Sequence, residues 1–313
     1  MKFNGNIFFG SVLILLVLVS CGTKRSDNKN VFCYNESNGI TSLDPAFARD
    51  LEIMWATNQL FDGLVELNDS LQVVPSVAKS FSVSEDLLTY TFILKSDVYF
   101  HNNACFPSEQ GRKVIASDVV YSFNRILDNA VASPGKWIFE KVGANGFFAP
   151  NDSTFIIQLK EPFAPFLGLL TTQYANIVPH EAVEMYGTDF RNHPVGCGPF
   201  QFAFWYENVA LVFHKNPNYY LKDEFGKALP YLDAVKIDFV KDMSAEYQGL
   251  LQGKYDFMSG IHNAFKDELL DPKSNFLRAF QFSNSHWNVV HGKGSQTNIV
   301  FRMFFNNHGN VIV

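Results

Sequence analysis

Between Phe81 and Leu127 the hydrophobic period changes once, and that change restricts the folds open to the chain. Thr89 to Lys95 alternates strictly, with Tyr90, Phe92 and Leu94 on one face and Thr89, Thr91, Ile93 and Lys95 on the other. A period of two in aromatic and β-branched residues predicts a half-buried strand. Val98 to Phe100 predicts a second aromatic strand, followed by a polar loop. Ser117-Asp118 then starts a helix, because Val119, Val120, Phe123, Ile126 and Leu127 recur at helical spacing. The stretch is an α/β module.

The same period rules place the other elements. A helix is predicted from Arg49 to Phe61, with Ile53, Thr57, Leu60 and Phe61 as its stripe, Leu51, Met54 and Trp55 widening it, and Gly63 as its stop. Asn35 to Ile40, before it, is a polar turn. Phe155, Ile157 and Leu159 alternate with Thr154, Ile156 and Gln158, giving a strand after the Asp152-Ser153 turn, and Phe166 to Leu170 is an apolar helical patch. Phe200 to Trp205 and Val209 to His214 form a hairpin around Glu207-Asn208, apolar on both faces as in a covered sheet. Strand Val235 to Val240, helix Ala245 to Gln252 with Ser244 as N-cap and Gly253 as stop, and strand Tyr255 to Met258 make a βαβ unit.

At 313 residues the chain can bury a large core and form two domains. Its net charge of -6 and the lack of a basic run beyond Lys24-Arg25 argue against a nucleic-acid partner. His180-Glu181-Ala182-Val183-Glu184 misses the zinc-protease pattern, because Glu184 stands where a second imidazole is needed. There is no Gly-x-Ser-x-Gly elbow, dinucleotide fingerprint or phosphate-binding Lys loop. His101 and Cys105 lie four apart in a polar loop without a visible orienting partner. No catalytic residue, metal site or cofactor is therefore assigned, and Cys33, Cys105 and Cys197 read as single buried cysteines.

The N-terminus pairs Lys2 with an apolar run, Val12 to Val19, short for a membrane span and suited to a signal peptide over residues 1–20. Leu18-Val19-Ser20-Cys21 resembles the lipobox of bacterial lipoproteins, which implies a lipid anchor on Cys21 and a polar tether over 21–30, with an uncleaved anchor or an ordinary secretory cut as the competing account.

Ser84-Glu85-Asp86, Tyr90-Thr91-Phe92-Ile93-Leu94-Lys95, Val98-Tyr99-Phe100-His101-Asn102 and Ala116-Ser117-Asp118-Val119-Val120-Tyr121-Ser122-Phe123-Asn124-Arg125 follow one another in an order that resembles family 5 extracytoplasmic solute-binding proteins. Leu43-Asp44-Pro45, Leu60-Phe61-Asp62-Gly63-Leu64, Lys215-Asn216-Pro217-Asn218-Tyr219-Tyr220 and Leu250…Gly253…Asp256 fit the same pattern. So does Gly196-Cys197-Gly198-Pro199-Phe200, with cysteine where threonine is usual; its two glycines suit a tight turn. The resemblance implies an α/β, periplasmic-binding-protein-like (type II) fold. Lobe I would comprise 31–61 and 180–271, and lobe II, inserted in it, 62–179. A third lobe would be missing.

It also implies the peptide- or solute-binding component of an ABC importer, in the periplasm, lipid-anchored through Cys21, with a peptide or similar small solute and an ABC permease as partners. Backbone near Ala48, Arg49 and Asp50 would border the ligand, and Ser259-Gly260 would face it. In oligopeptide-binding relatives a tyrosine near the Ser133–Trp137 turn covers the peptide; the matching position here is Gly135, and Trp137 either substitutes or packs. For Arg49 and Asp50 a solvated helix start is the competing account. The pattern fades after Asp271, and 272–313 holds no Asp or Glu, which reads as an out-of-frame tail or a natural C-terminal element. A truncated remnant without ligand is accordingly the alternative function.

Overall fold

The computed structural model describes residues 30–68, 70–223, 225–258, 263–265, 304–305 and 311–312. Residues 1–29, where a leader, Cys21 and a tether are expected, together with Ser259, Gly260 and most of 272–313, lie outside them.

Two four-stranded sheets organise the described chain. The first takes its strands from distant parts of the sequence: β1 (Val31–Asn35), β8 (Phe200–Tyr206), β9 (Ala210–Lys215) and β10 (Ala234–Asp238). Their order is β1-β10-β9-β8, with β1 and β10 parallel and the other pairs antiparallel. The second is wholly antiparallel: β4 (Ala78–Val83), β5 (Thr89–Leu94), β6 (Val142–Asn151) and β7 (Thr154–Leu159), in the order β4-β5-β7-β6. A small ribbon, β2 (Val65–Leu67) with β3 (Val73–Pro75), stands beside them, and β11 (Phe304–Phe305) pairs with β12 (Val311–Ile312).

The alternation read in the second sheet has the expected consequence. Tyr90, Phe92 and Leu94 are buried on β5, as are Phe155, Ile157 and Leu159 on β7, and Phe92 lies opposite Phe155. α2 (Ala116–Leu127) covers this face. Its Phe123 ring lies 4.7 Å from Phe139, 5.5 Å from Phe147 and 5.5 Å from Phe155. Aromatic rings meeting edge to face at such distances add to the stabilisation that burial of their area already supplies.

Several elements differ from expectation for local reasons. Val98–Phe100 makes one bridge, Tyr99 to Lys113, because the loop after it folds back and offers the Arg112 carbonyl to Phe100 and Val114 to the Val98 carbonyl. α1 (Leu51–Leu60) ends before Phe61, whose extended backbone carries its ring into the core against Phe190 at 6.4 Å; Gly63 instead bridges Asn176. Two further short helices are α3 (Phe166–Leu169) and α4 (His180–Tyr186). α5 (Met243–Leu251) is capped by Asp242 rather than Ser244, with Ala245 N donating to Asp242 Oδ1 at 2.7 Å. The strand expected at Tyr255–Met258 is one parallel bridge, Phe257 to Tyr34, so β1 lies between it and β10. The β8–β9 hairpin is less covered than its apolar faces suggested, since Phe204 and Tyr206 are exposed.

Gly196 and Gly198 serve a close approach. A β-carbon at Gly196 would stand 2.0 Å from the Leu60 carbonyl oxygen, and one at Gly198 2.6 Å from the Leu60 carbonyl carbon. The end of α1 thus rests on bare backbone, with Gly198 N donating to Leu60 O at 3.0 Å. Cys33, Cys105 and Cys197 form no disulfide among the described residues; Cys197 is buried and the other two are half-buried. Among the described residues, no helix is long and apolar enough to cross a membrane.

Candidate functional site

The candidate site begins at the turn between β1 and α1. Asp44 N donates to Ser42 Oγ at 3.1 Å, and Asp44 Oδ1 accepts from Ala46 N at 3.0 Å, so the Asp-Pro sequence sets a 3₁₀ turn over Pro45–Phe47. Both Asp44 oxygens also meet Arg125 of α2, at 2.9 and 2.5 Å. Burial disfavours the guanidinium charge, but the Asp44 hydrogen bonds and charge outweigh it and raise the Arg125 pKa. Such a fork fixes angle as well as distance, locking the turn to α2.

A second tether runs from the turn to Ser133. Its Oγ donates to Ala46 O at 2.6 Å and accepts from Gly135 N at 3.1 Å. That places the 3₁₀ turn Pro134–Phe139 beside Pro45–Phe47. A third short turn, Gln173–Ala175, also packs on Pro45–Phe47 and is held to α1 where Gln173 Nε2 donates to Asn58 Oδ1 at 3.0 Å. Its Tyr174 ring lies against Gly135 so closely that a β-carbon there would be 2.2 Å from Tyr174 Cγ.

The structure therefore brings Ala48–Asp50 and Gly135 together and adds Tyr174. Ala48 is buried; Arg49 and Asp50 are exposed, with Arg49 Nε 3.5 Å from Asp50 Oδ1. A pair so open to water contributes little stability, so these side chains are free to serve another partner. Burial raises the Tyr174 pKa, with opposing contributions from the charges of Arg49 and Asp50. Trp137 is 51% exposed, so its indole does not fill the core. Tyr174 escaped sequence reading because nothing near it in sequence marks it; its signal was indirect, a glycine at 135 where a ring was expected.

The His101–Cys105 pair is structural. His101 is buried, its Nε2 lying 3.0 Å from Gly198 O while Nδ1 accepts from Gly196 N at 3.3 Å. Burial lowers its pKa to about 4, so the ring is a neutral staple for the Gly196–Gly198 segment. Burial pushes the Cys105 thiol up to about 11, away from a reactive thiolate. His180 and Glu181 of α4 meet at 3.2 Å, and Glu181 is occupied by Arg112 at 2.6 Å. Among the described residues no group of three or more His, Cys, Asp or Glu is arranged to hold a metal ion.

The first sheet takes β1 from residues 31–35 and its other strands from 200–238, and the second sheet lies between them in sequence, a mixed α/β architecture with one sheet inserted in the other. Comparison makes the family explicit. The model of bacterial extracellular solute-binding proteins, family 5 Middle, matches residues 72–311, running past Asp271, and the chain belongs to that family. It is similar to a dipeptide-binding protein of Lactococcus lactis subsp. cremoris (28% identical over 264 residues; 77% of this chain, 45% of the relative). It is also similar to a probable di/tripeptide-binding protein 5 of Pseudomonas aeruginosa (33% over 240 residues; 68% and 43%).

A solved periplasmic binding protein from Helicobacter pylori, in complex with the peptide STSA, superposes with a TM-score of 0.66 at 29% identity, covering 76% of this chain and 48% of that one. The substrate-binding domain of a Bacillus anthracis oligopeptide ABC transporter has the same fold, with a TM-score of 0.68 at 23% identity, covering 77% of this chain and 47% of that one. The fold is thus the periplasmic-binding-protein-like one, and the chain spans less than half the length of these relatives. These relatives are binding proteins, and the family is extracellular.

Proposed function

We propose that the chain is the solute-binding component of an ABC importer and takes peptides or similar small solutes. The observation that carries the reading is the convergence of three turns, 45–50, 133–137 and 173–175, which are far apart in sequence and joined by the Ser133–Ala46 hydrogen bond and the Gly135–Tyr174 contact, while Asp44 fixes the first of them to α2. Relatives named for dipeptide and di/tripeptide binding, and a neighbour holding a peptide, support the choice of solute. Ala48, Arg49, Asp50, Gly135, Trp137, Ser259 and Gly260 are its proposed ligand-bordering residues, with Tyr174 added. An extended peptide would bond to backbone along this surface and leave its side chains to tolerant pockets.

Residues 31–61 with 180–271 act as lobe I and 62–179 as lobe II; the separate origins of the two sheets support that division. Delivery to a permease, a leader over 1–20 and a lipid on Cys21 that holds the protein at the membrane in the periplasm complete the proposal.

A ligand that binds only the folded state must raise the melting point. Millimolar mixed di- and tripeptides should therefore raise it, and Trp137→Ala should reduce the rise while leaving the ligand-free melting point nearly unchanged. A flat response of the wild-type chain to every peptide overturns the receptor reading.

A further inference from the structure

Asn35 to Ile40 reads as a polar turn in sequence, yet Asn35, at the end of β1, and Glu36 after it are buried. Asn35 Nδ2 donates to Val240 O at 2.9 Å and Asn35 Oδ1 accepts from Val240 N at 2.7 Å, while Glu36 N donates to Asp238 O at 2.9 Å. These bonds hold the Glu36 side chain inside, at 5% exposure, with its Oε1 sealed from solvent and without a hydrogen-bond partner among the described residues. Burying an unpaired carboxyl is costly, and native proteins keep such groups where a partner arrives or a function needs them.

The neighbours of Glu36 are carboxyls too. Glu52, in the first turn of α1, and Glu246, in the first turn of α5 and itself buried, both act on it by charge, and among the described residues no cation is a cause of its shift. Asn38 Nδ2 donates to Glu52 Oε1 at 2.6 Å, and Asn35 hydrogen-bonds Glu246. The cluster sits at the C-terminal ends of the parallel strands β1 and β10, the edge at which open α/β sheets place ligands. α1, which carries Glu52, begins directly after Ala48–Asp50.

We infer that Glu36, flanked by Glu52 and Glu246, forms a subsite for a primary ammonium group of the solute. The inference rests on the receptor reading for the identity of its ligand. A compact metal ion is a poorer fit, since no metal-holding group exists among the described residues. An ammonium on a flexible stem offers three rotatable donors and needs no rigid ligand polyhedron. Burial, with the charges of Glu52 and Glu246, pushes the Glu36 pKa up to about 8, so its carboxyl is protonated at neutral pH. On binding, the ammonium keeps its three protons, Glu36 becomes carboxylate and its proton passes to solvent. The other titrating groups packed here, Tyr34 on β1 and Glu246 on α5, have raised pKa values and add no positive charge.

The test uses the whole chain with ¹³C-labelled glutamate, and butylammonium chloride as the probe against sodium chloride and 1-butanol. The Glu36 carboxyl resonance, assigned by its loss in Glu36→Gln, should move to the carboxylate position at pH 7. The probe should raise the melting point of the wild type, and Glu36→Gln should lose that rise. Affinity should climb about tenfold per pH unit below the Glu36 pKa of about 8. A Glu36 resonance unmoved by butylammonium, or equal melting responses in wild type and Glu36→Gln, overturns the subsite. Peptide melting shifts are scored separately: a flat peptide response removes the receptor reading, whereas a peptide response without a Glu36 response removes the subsite alone.

Discussion

At Gly135 the absent β-carbon is what lets the Tyr174 ring lie on the Pro134–Phe139 turn. Gly135→Ala should therefore cost about 1–3 kcal/mol, as overpacking does. In the Tyr174→Ala background the same change should cost much less, which urea unfolding of the four proteins in the cycle would show. Two buried titrating groups set opposite pH slopes. His101 has its pKa lowered from 6.5 to about 4, so the unfolded chain takes up a proton that the folded one refuses. Its stabilisation is complete above pH 6.5 and falls as pH drops toward 4, by about 3 kcal/mol in all.

Glu36 is raised from 4.5 to about 8, so the folded chain holds a proton that the unfolded one loses. Its contribution is complete below pH 4.5 and is lost as pH rises through 8. Urea midpoints across pH 4–9 should show the acid slope flatten in His101→Gln and the alkaline slope flatten in Glu36→Gln; unchanged slopes would refute either assignment.

The second sheet and its helix are the elements most legible in the sequence. Strict alternation on β5 and β7 and the 3.6 spacing on α2 each name their buried face, because the large apolar residues concentrate on one face, with Ile93 and Ile156 the exceptions on the strands. Phe123, at the centre of that interface, should cost about 3–5 kcal/mol when cut to alanine. The first sheet is harder to read. Its partners are separated by some two hundred residues, and β8 carries apolar residues on an exposed face as well as a buried one. Helix ends fell one to two residues away from their sequence signals where a tertiary contact competed, as Phe61 did against Gly63 and Asp242 against Ser244.

For the whole molecule, motif order carries the chain's course through the two sheets, while the contacts that join the three turns of the candidate site lie between distant positions. Leu43-Asp44-Pro45 is legible as a turn, since Asp and Pro build it by themselves. Its locks did not show: Arg125 reaches Asp44 across 81 positions and Ser133 reaches Ala46 across 87, and no local pattern encodes either. Arg125→Ala leaves Asp44 buried without its ion partner, so a loss of about 3–5 kcal/mol is expected in thermal or urea unfolding.

In the proposed function the solute lies on those locked turns. Amide hydrogen exchange of the full chain, with and without millimolar di- and tripeptides, tests it most directly. Slower exchange confined to 46–50, 135–139 and 173–175 is predicted. Protection elsewhere, or none at any peptide concentration, would contradict it.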